Sequence, residues 1–195
     1  MDESMKKWKY KNFESFQSKY LGFTLIESMV VITVVGILAT VSIPSYSNYV
    51  NSQKIQQSQQ NIFSTLRQIR MQAVTQAQSV VMCSSVDHNI CSYDSDPEDW
   101  SAGWIVFVDL NNNKQRDVKT EDILKLDSNN DNHIIKWNRG GYLTYNYEGK
   151  INQNGSFFVC GLTNTDQNLA RSVIINRVGR AYLSKYTSND EKIVC

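Results

Sequence analysis

The sequence predicts an α+β protein in which one long N-terminal helix packs on an antiparallel β-sheet domain. Two observations lead to this class. Residues 23–79 carry helical patterns, first a long apolar run and then apolar positions spaced by four, three and four. Beyond residue 80 the pattern changes to short β-rich runs separated by Asn, Gly and Asp, without a second long helix. At 195 residues the chain has room for one domain of ordinary size plus an appendage.

The chain begins with a basic leader, residues 1–22, followed by an apolar run, residues 23–43. As a helix the apolar run would span about 31 Å, which is close to the hydrocarbon thickness of a bilayer. The leader contains Lys6, Lys7, Lys9, Lys11 and Lys19. These lysines predict a cytoplasmic N-terminus and a C-terminal domain outside the membrane. A secretory signal fits poorly, because the run is too long and no A-x-A site follows it; a plain signal anchor is the simplest alternative.

One carboxylate, Glu27, lies near the start of the apolar run. An acid in a membrane helix costs about 2.5–3.5 kcal/mol near the bilayer centre, so it requires a partner. No Lys, Arg or His occurs between Phe23 and Lys54. Cleavage between Gly22 and Phe23 would create an α-amino group at the top of the same helix, and this amine could pair with Glu27 of a staggered neighbouring copy. Phe23 and Glu27 are therefore predicted to act in assembly.

Residues 44–79 are predicted to continue the helix as an amphipathic segment. Ile62, Leu66, Ile69 and Ala73 form the stripe of a helix face that needs a sheet to cover it. We expect one helix from about residue 24 to residue 78. Pro44 lacks a backbone N–H, which predicts a hinge or a simple kink at that position.

Residues 80–195 are predicted to form a β-rich domain outside the membrane, with one sheet or two packed sheets. Turn residues bound the eight candidate strands, which are VVMCSS, GWIVFVDL, DILKLD, HIIKW, GYLTYNY, GSFFVCGL, RSVIINRV and RAYLSKY. Residues 104–110 and 123–126 are predicted to pair as a hairpin.

The loop of this hairpin has the odd-position oxygen spacing of a calcium loop, at Asp109, Asn111, Asn113 and Asp117. A calcium loop of the EF-hand type would need Gly in place of Lys114 and a bidentate acid in place of Thr120. A solvated turn is therefore the favoured interpretation, and it applies equally to the nearby DSNNDN.

All four cysteines, Cys83, Cys91, Cys160 and Cys195, lie on the predicted outer side of the membrane, where disulfides can form. Three connectivities are possible, and we favour Cys83–Cys91 with Cys160–Cys195, a local closure plus a clasp for the C-terminus. A zinc site would require close pairs such as C-x-x-C. His88 and His133 lack a metal-binding context, so no metal is predicted.

No enzyme is predicted, and no cofactor. The sequence lacks G-x-S-x-G, P-loop and Rossmann fingerprints. The acidic cluster Asp94, Asp96, Glu98 and Asp99 surrounds Pro97 and is interpreted as a solvated turn. Charge is nevertheless uneven: residues 83–137 hold eleven acids and five bases, whereas residues 171–195 hold five bases and two acids.

The N-terminal residues resemble the type IV prepilin and pseudopilin superfamily. The match is a basic leader ending in Gly22, then Phe23-Thr24-Leu25-Ile26-Glu27, a long apolar run and Pro44. The resemblance implies cleavage after Gly22 by a prepilin peptidase and N-methylation of Phe23. It also implies a single-pass protein of the bacterial inner membrane with a periplasmic domain. Its partners would be other pilins or pseudopilins and an inner-membrane assembly platform.

The soluble part is similar to minor pseudopilins of the GspH/FimT type, through Gly-Trp-Ile-Val-Phe-Val-Asp and a C-terminal Gly-Arg. Two functions follow from the resemblance: a structural subunit of a type II secretion pseudopilus or type IV pilus, or a minor pilin that binds DNA during uptake. Candidate phosphate-binding residues are Arg171, Arg177, Arg180 and Lys185, beside Tyr182 and Tyr186. DNA-binding members carry Gly-Arg-x-Arg, whereas this chain has Gly179-Arg180-Ala181-Tyr182 and lacks the second arginine.

Overall fold

The computed structural model describes residues 22–93, 96–130, 133–162 and 168–195, without the side chains of residues 41–45 and 47. The predicted leader up to residue 21 and Asp94 of the acidic cluster lie outside the described residues. The chain divides into two units, Met1–Ile43 and Pro44–Cys195.

One helix, α1, runs from Leu25 to Gln76, close to the predicted bounds. It ends where Ala77 takes a left-handed conformation and the Gln78 amide donates to the Ala73 carbonyl oxygen at 3.2 Å. The helical assignment continues through Pro44, whose side chain lies outside the described residues, so the hinge stays a prediction.

Within the described part of the chain, no helix is both long enough and apolar enough to cross a membrane. The membrane-spanning role of residues 23–43 stays a prediction from the sequence.

Among the described residues, eight strands follow the helix, one in each predicted β segment. They are β1 Val80–Ser84, β2 Trp104–Val108, β3 Ile123–Asp127, β4 Ile134–Trp137, β5 Tyr142–Tyr145, β6 Gly155–Cys160, β7 Arg171–Ile175 and β8 Ala181–Ser184. They form two four-stranded antiparallel sheets, sheet 1 in the order β3-β2-β1-β5 and sheet 2 in the order β4-β6-β7-β8. The predicted α+β class, with a helix packed on antiparallel sheets, is confirmed.

The predicted apolar stripe of α1 lies in the main core. Ile62, Leu66, Ile69 and Ala73 are each at most 2% exposed and pack with buried residues of both sheets. Burying an aliphatic side chain of this size contributes about 1.5–3 kcal/mol, so this stripe fixes the rotation of the helix against the sheets.

Gln59 adds a polar tie between the helix and sheet 2. Its side chain is buried, and its amide nitrogen donates to the carbonyl oxygens of Ser172 at 2.7 Å and Ser184 at 3.0 Å. Both acceptors belong to the β7–β8 hairpin. The helix therefore holds this hairpin by hydrogen bonds as well as by apolar contact.

The two disulfides are Cys83–Cys91 and Cys160–Cys195, the pairs favoured from the sequence. Cys83–Cys91 belongs to a second apolar cluster on the face of sheet 1 formed by Val81, Ile105 and Phe107. Cys160–Cys195 lies beside Ile193 and ties the C-terminal residue to the end of β6.

The loop between β2 and β3 is organised around two buried carboxylates. Asp109 accepts from the amides of Asn113 at 3.1 Å and Lys114 at 3.0 Å, and Glu121 accepts from those of Leu110 at 2.8 Å and Asp117 at 2.9 Å. These oxygens serve the turn itself. Among the described residues, no group of three or more His, Cys, Asp or Glu side chains could hold a metal ion.

Candidate functional site

The first candidate site is the start of α1. The Glu27 amide donates to Thr24 Oγ1 at 3.3 Å, and the Ser28 amide donates to the Thr24 carbonyl oxygen at 3.2 Å. Thr24 is therefore the N-cap of the helix, and Glu27 occupies the third helical position, as in the S/T-x-x-E capping pattern. The positive end of the helix dipole also favours a carboxylate at this position.

The surroundings of this cap are apolar and exposed. Phe23 is 75% exposed and Leu25 is 78% exposed. The apolar side chains that follow are also exposed over more than half of their surface: Ile26, Met29, Val30, Ile32, Val35 and Leu38. Exposed apolar surface of this extent indicates a segment that is covered by lipid or by other protein chains. Glu27 is exposed within this surface.

The second candidate site is the turn between β7 and β8, which presents Arg177 and Arg180. Asn176 organises the turn: its amide donates to the Arg180 carbonyl oxygen at 3.1 Å, and its side-chain oxygen accepts from the Arg180 amide at 3.0 Å. Gly179 has φ 76°, and a Cβ there would collide with the Gly149 carbonyl oxygen. Only glycine fits this turn without strain, and both arginines are exposed on it.

The four predicted phosphate-binding residues do not form one cluster. Arg177 and Arg180 lie at the turn, whereas Arg171 and Lys185 flank the other end of the hairpin, where Ser172 pairs with Ser184. The Arg171 guanidinium donates hydrogen bonds to the carbonyl oxygens of Leu169 at 2.8 Å and Ala170 at 3.0 Å. Tyr182 and Tyr186 are about half exposed.

The sequence reasoning missed two helix arginines that the fold brings to the turn. Arg67 and Arg70 line a groove of 540 Å³ between α1 and the β7–β8 turn, together with Phe63 and Arg180. The Arg67 guanidinium lies over the Phe63 ring, 5.7 Å from its centroid. The spacing 63, 67, 70 follows one helix face beside the apolar stripe, which was the available signal.

Arg70 has a structural role as well. Its Nε donates to the Gly149 carbonyl oxygen at 2.9 Å, and its NH2 nitrogen donates to the Val178 carbonyl oxygen at 3.2 Å. It therefore joins α1 to the β5–β6 connection and to the β7–β8 turn. Arg67 and Arg180 have no carboxylate partner within the described parts of the chain.

A capped apolar helix start, continued into a helix that packs on two antiparallel sheets, is the architecture of a pilin-like protein. The family described as "Type II transport protein GspH" matches residues 58–179, more than half of the chain. The chain belongs to this family. The "Prokaryotic N-terminal methylation motif" matches residues 17–43, which include the helix start. The predicted membership of the GspH/FimT type is confirmed.

Two other proteins are similar to this chain, one in a short segment of sequence and one in fold. The type IV major fimbrial protein FimA of Dichelobacter nodosus is 59% identical over 29 residues, which are 15% of this chain and 19% of that protein. Two crystal forms of the type IV minor pilin FimU of Pseudomonas aeruginosa share the fold, at 18% identity. One has a TM-score of 0.53 and covers 70% of this chain and 92% of FimU; the other has 0.50, 66% and 91%.

Proposed function

We propose that this protein is a minor subunit of a filament assembled from the bacterial inner membrane, either a type II secretion pseudopilus or a type IV pilus. The observation that carries the proposal is the capped helix start, where Thr24 positions the first turn and Glu27 stands among exposed apolar side chains. Family and fold are those of structural subunits. The proposed role is therefore filament assembly in support of secretion, without catalysis.

The proposed mechanism begins with processing. A prepilin peptidase cuts after Gly22, and the new N-terminal Phe23 is methylated. The helix already begins at Leu25, so the new amino group lies within one turn of Glu27. In the membrane, the Glu27 carboxylate of one subunit pairs with the Phe23 amino group of its neighbour. This pairing offsets the cost of an unpaired charge in lipid and fixes the stagger between adjacent helices.

The test is coexpression of the full chain with a prepilin peptidase and a filament assembly platform. We expect mass spectrometry to show loss of residues 1–22 and a methylated Phe23. Glu27→Gln should be processed normally but enter sheared filaments at least about tenfold less, because the neighbour's amino group loses its partner. Ser28→Ala is the matched control and should assemble normally. An uncut chain, or normal assembly of Glu27→Gln, would contradict the proposal.

Genetic deletion of this subunit can distinguish a type II secretion pseudopilus from a type IV pilus. Secretion of a folded enzyme across the outer membrane, measured with and without this subunit, tests the pseudopilus. Twitching and surface pili, measured in the same strains, test the type IV pilus.

A second candidate function is DNA binding during uptake. The observation that favours it is the exposure of Arg177 and Arg180 on a rigid turn, with Arg67 across the groove. Phosphate contacts by arginine are weakened by salt. The processed chain should then bind duplex DNA in the micromolar range at low salt, and Arg177→Ala with Arg180→Ala should weaken binding and flatten its salt dependence. Absence of binding at low salt would remove this candidate.

A further inference from the structure

Acidic and basic residues are segregated along this chain. No Asp or Glu occurs from residue 28 to residue 86 or from residue 167 to residue 189, and no Lys or Arg occurs from residue 71 to residue 113. The two acid-free segments supply α1 from residue 28 onward and the β7–β8 hairpin. The base-free segment supplies β1, β2 and the acidic loop between them, which we define as residues 96–99.

The fold places these segments at opposite edges of sheet 2. The backbone of Asp99 forms an isolated antiparallel β-bridge with that of Lys136 in β4, and the Trp137 amide donates to the Glu98 carbonyl oxygen at 2.9 Å. The acidic loop therefore extends the β4 edge. The other edge is β8. Four strand spacings separate the acidic loop from β8, about 19 Å. One sheet therefore has an acidic edge at β4 and an edge at β8 that carries Arg180 and Lys185, with Asp190 and Glu191 in the turn beyond Lys185.

The β8 edge is recessed along its junction with α1. Arg67 and Arg180 line the 540 Å³ groove, and a second depression of 440 Å³ continues along the junction between Gln56 and Gln60 on one side and Lys185 on the other. Apolar groups share this surface, since Met71 is 63% exposed and Val74 is 50% exposed. We call the two depressions together the α1–β8 groove.

We propose that the α1–β8 groove binds the acidic loop of a second copy of this chain. The contact joins two different faces of the same molecule, so it is heterologous, and each copy keeps one face free for another subunit of the filament. The inference rests on the proposed function, because only a filament subunit needs complementary faces of this kind. It adds a contact between β-rich domains to the pairing of the apolar helices.

The groove favours a protein segment over a nucleic acid. Duplex DNA presents a dense row of phosphates and would leave Met71 and Val74 against charged groups. The acidic loop offers Asp96, Glu98 and Asp99 for the arginines and Pro97 for the apolar surface. All four are exposed in the single chain, so docking requires no unfolding of the loop.

The first experiment is zero-length carbodiimide coupling of the processed full chain in phosphatidylcholine vesicles. This reagent joins a carboxylate to an amine only when the two are in contact. We expect a link between Lys185 and the acidic loop, and the separation across sheet 2 makes that link intermolecular. A link between Lys150 and Glu148, whose Nζ and Oε2 atoms lie 2.6 Å apart in one chain, is the internal control. Salt at about 1 M, where the screening length is about 3 Å, should remove only the intermolecular link.

The second experiment exchanges the charges. Arg180→Glu and Glu98→Lys, each alone, should reduce the intermolecular link about tenfold, because each places like charges across the contact. A mixture of the two variants should restore it and give a new link between position 180 of one copy and position 98 of the other. Both side chains are exposed, so neither change should affect folding. Lys119→Glu, an exposed reversal in the β2–β3 loop, is the matched control and should leave the link unchanged.

The outcomes separate the inference from the proposed function. If the chain is cut, methylated and built into filaments but lacks the Lys185 link, or the mixture fails to restore it, the inference is wrong and the function stands. If Arg180→Glu abolishes DNA binding while the intermolecular link persists, the groove is a nucleic-acid site and the inference is again wrong. Failure of processing would remove the function itself.

Discussion

Arg70 of α1 donates a hydrogen bond of 2.9 Å to the carbonyl oxygen of Gly149, and through a second nitrogen it also reaches the Val178 carbonyl oxygen. One helix side chain thus satisfies two carbonyl groups from separate connections. The β7–β8 turn, which carries the candidate arginines, takes its position from this contact and from the Gln59 hydrogen bonds to Ser172 and Ser184.

The first prediction concerns this tie. Arg70→Met keeps the length of the side chain but leaves both carbonyl oxygens without their donor, so we expect the free energy of unfolding to fall by about 2 kcal/mol. Arg67→Met, three residues earlier and without a carbonyl partner, should cost less than about 1 kcal/mol. Denaturant unfolding of the full chain in mild detergent, followed by the fluorescence of the buried Trp100, Trp104 and Trp137, measures both. Equal losses of unfolding free energy in the two variants would contradict a stabilising role for the Arg70 hydrogen bonds.

The second prediction concerns two glycines at which an added Cβ would strain the backbone, and at only one of which it would also collide with a neighbouring atom. Gly140 and Gly179 both have positive φ, 95° and 76°, but a Cβ at Gly140 meets open space while one at Gly179 meets the Gly149 carbonyl. Gly140→Ala should therefore cost about 1–2 kcal/mol. Gly179→Ala should cost about 3 kcal/mol or more, because overpacking adds to the strain. The same unfolding measurement decides, and a Gly179→Ala variant as stable as Gly140→Ala would show that the turn can move.

The third prediction ranks the disulfides. Cys160–Cys195 closes 35 residues and Cys83–Cys91 closes eight. In the chain-entropy description, losing the longer closure costs about 4 kcal/mol and losing the shorter one about 2.5 kcal/mol. Paired Cys→Ser variants of each bridge, compared by denaturant midpoint, test the order. If the shorter bridge proves the more important, its packing on sheet 1 outweighs loop entropy.

The fourth prediction concerns alkaline pH. Burial raises the pKa of the Tyr145 phenol above its ordinary value of 10.0, although the nearby charge of Arg70 opposes the shift. The folded chain then holds this proton more tightly than the unfolded chain, so the free energy of unfolding should fall as pH rises above about 10. Tyr145→Phe should flatten this decline but retain the part due to Tyr93, whose pKa burial also raises. Tyr147→Phe, at an exposed position, should leave the decline unchanged.

The sequence by itself determined the α+β class, the position of every strand and the core stripe Ile62, Leu66, Ile69 and Ala73. These follow from periodicity and from turn residues, which are local properties of the chain. The start of the helix is also predictable from the local sequence, because Thr24 and Glu27 lie three residues apart within one turn.

Only the tertiary structure decided how distant residues meet. Four of the five basic residues of the C-terminal segment were predicted together as phosphate-binding residues, but strand pairing separates Arg177 and Arg180 from Arg171 and Lys185. Arg67 and Arg70 joined the turn only because the buried stripe fixes the rotation of α1. The placement of the acidic loop and of Arg180 at opposite edges of sheet 2 depends on strand order, which long-range pairing sets and which local patterns do not encode.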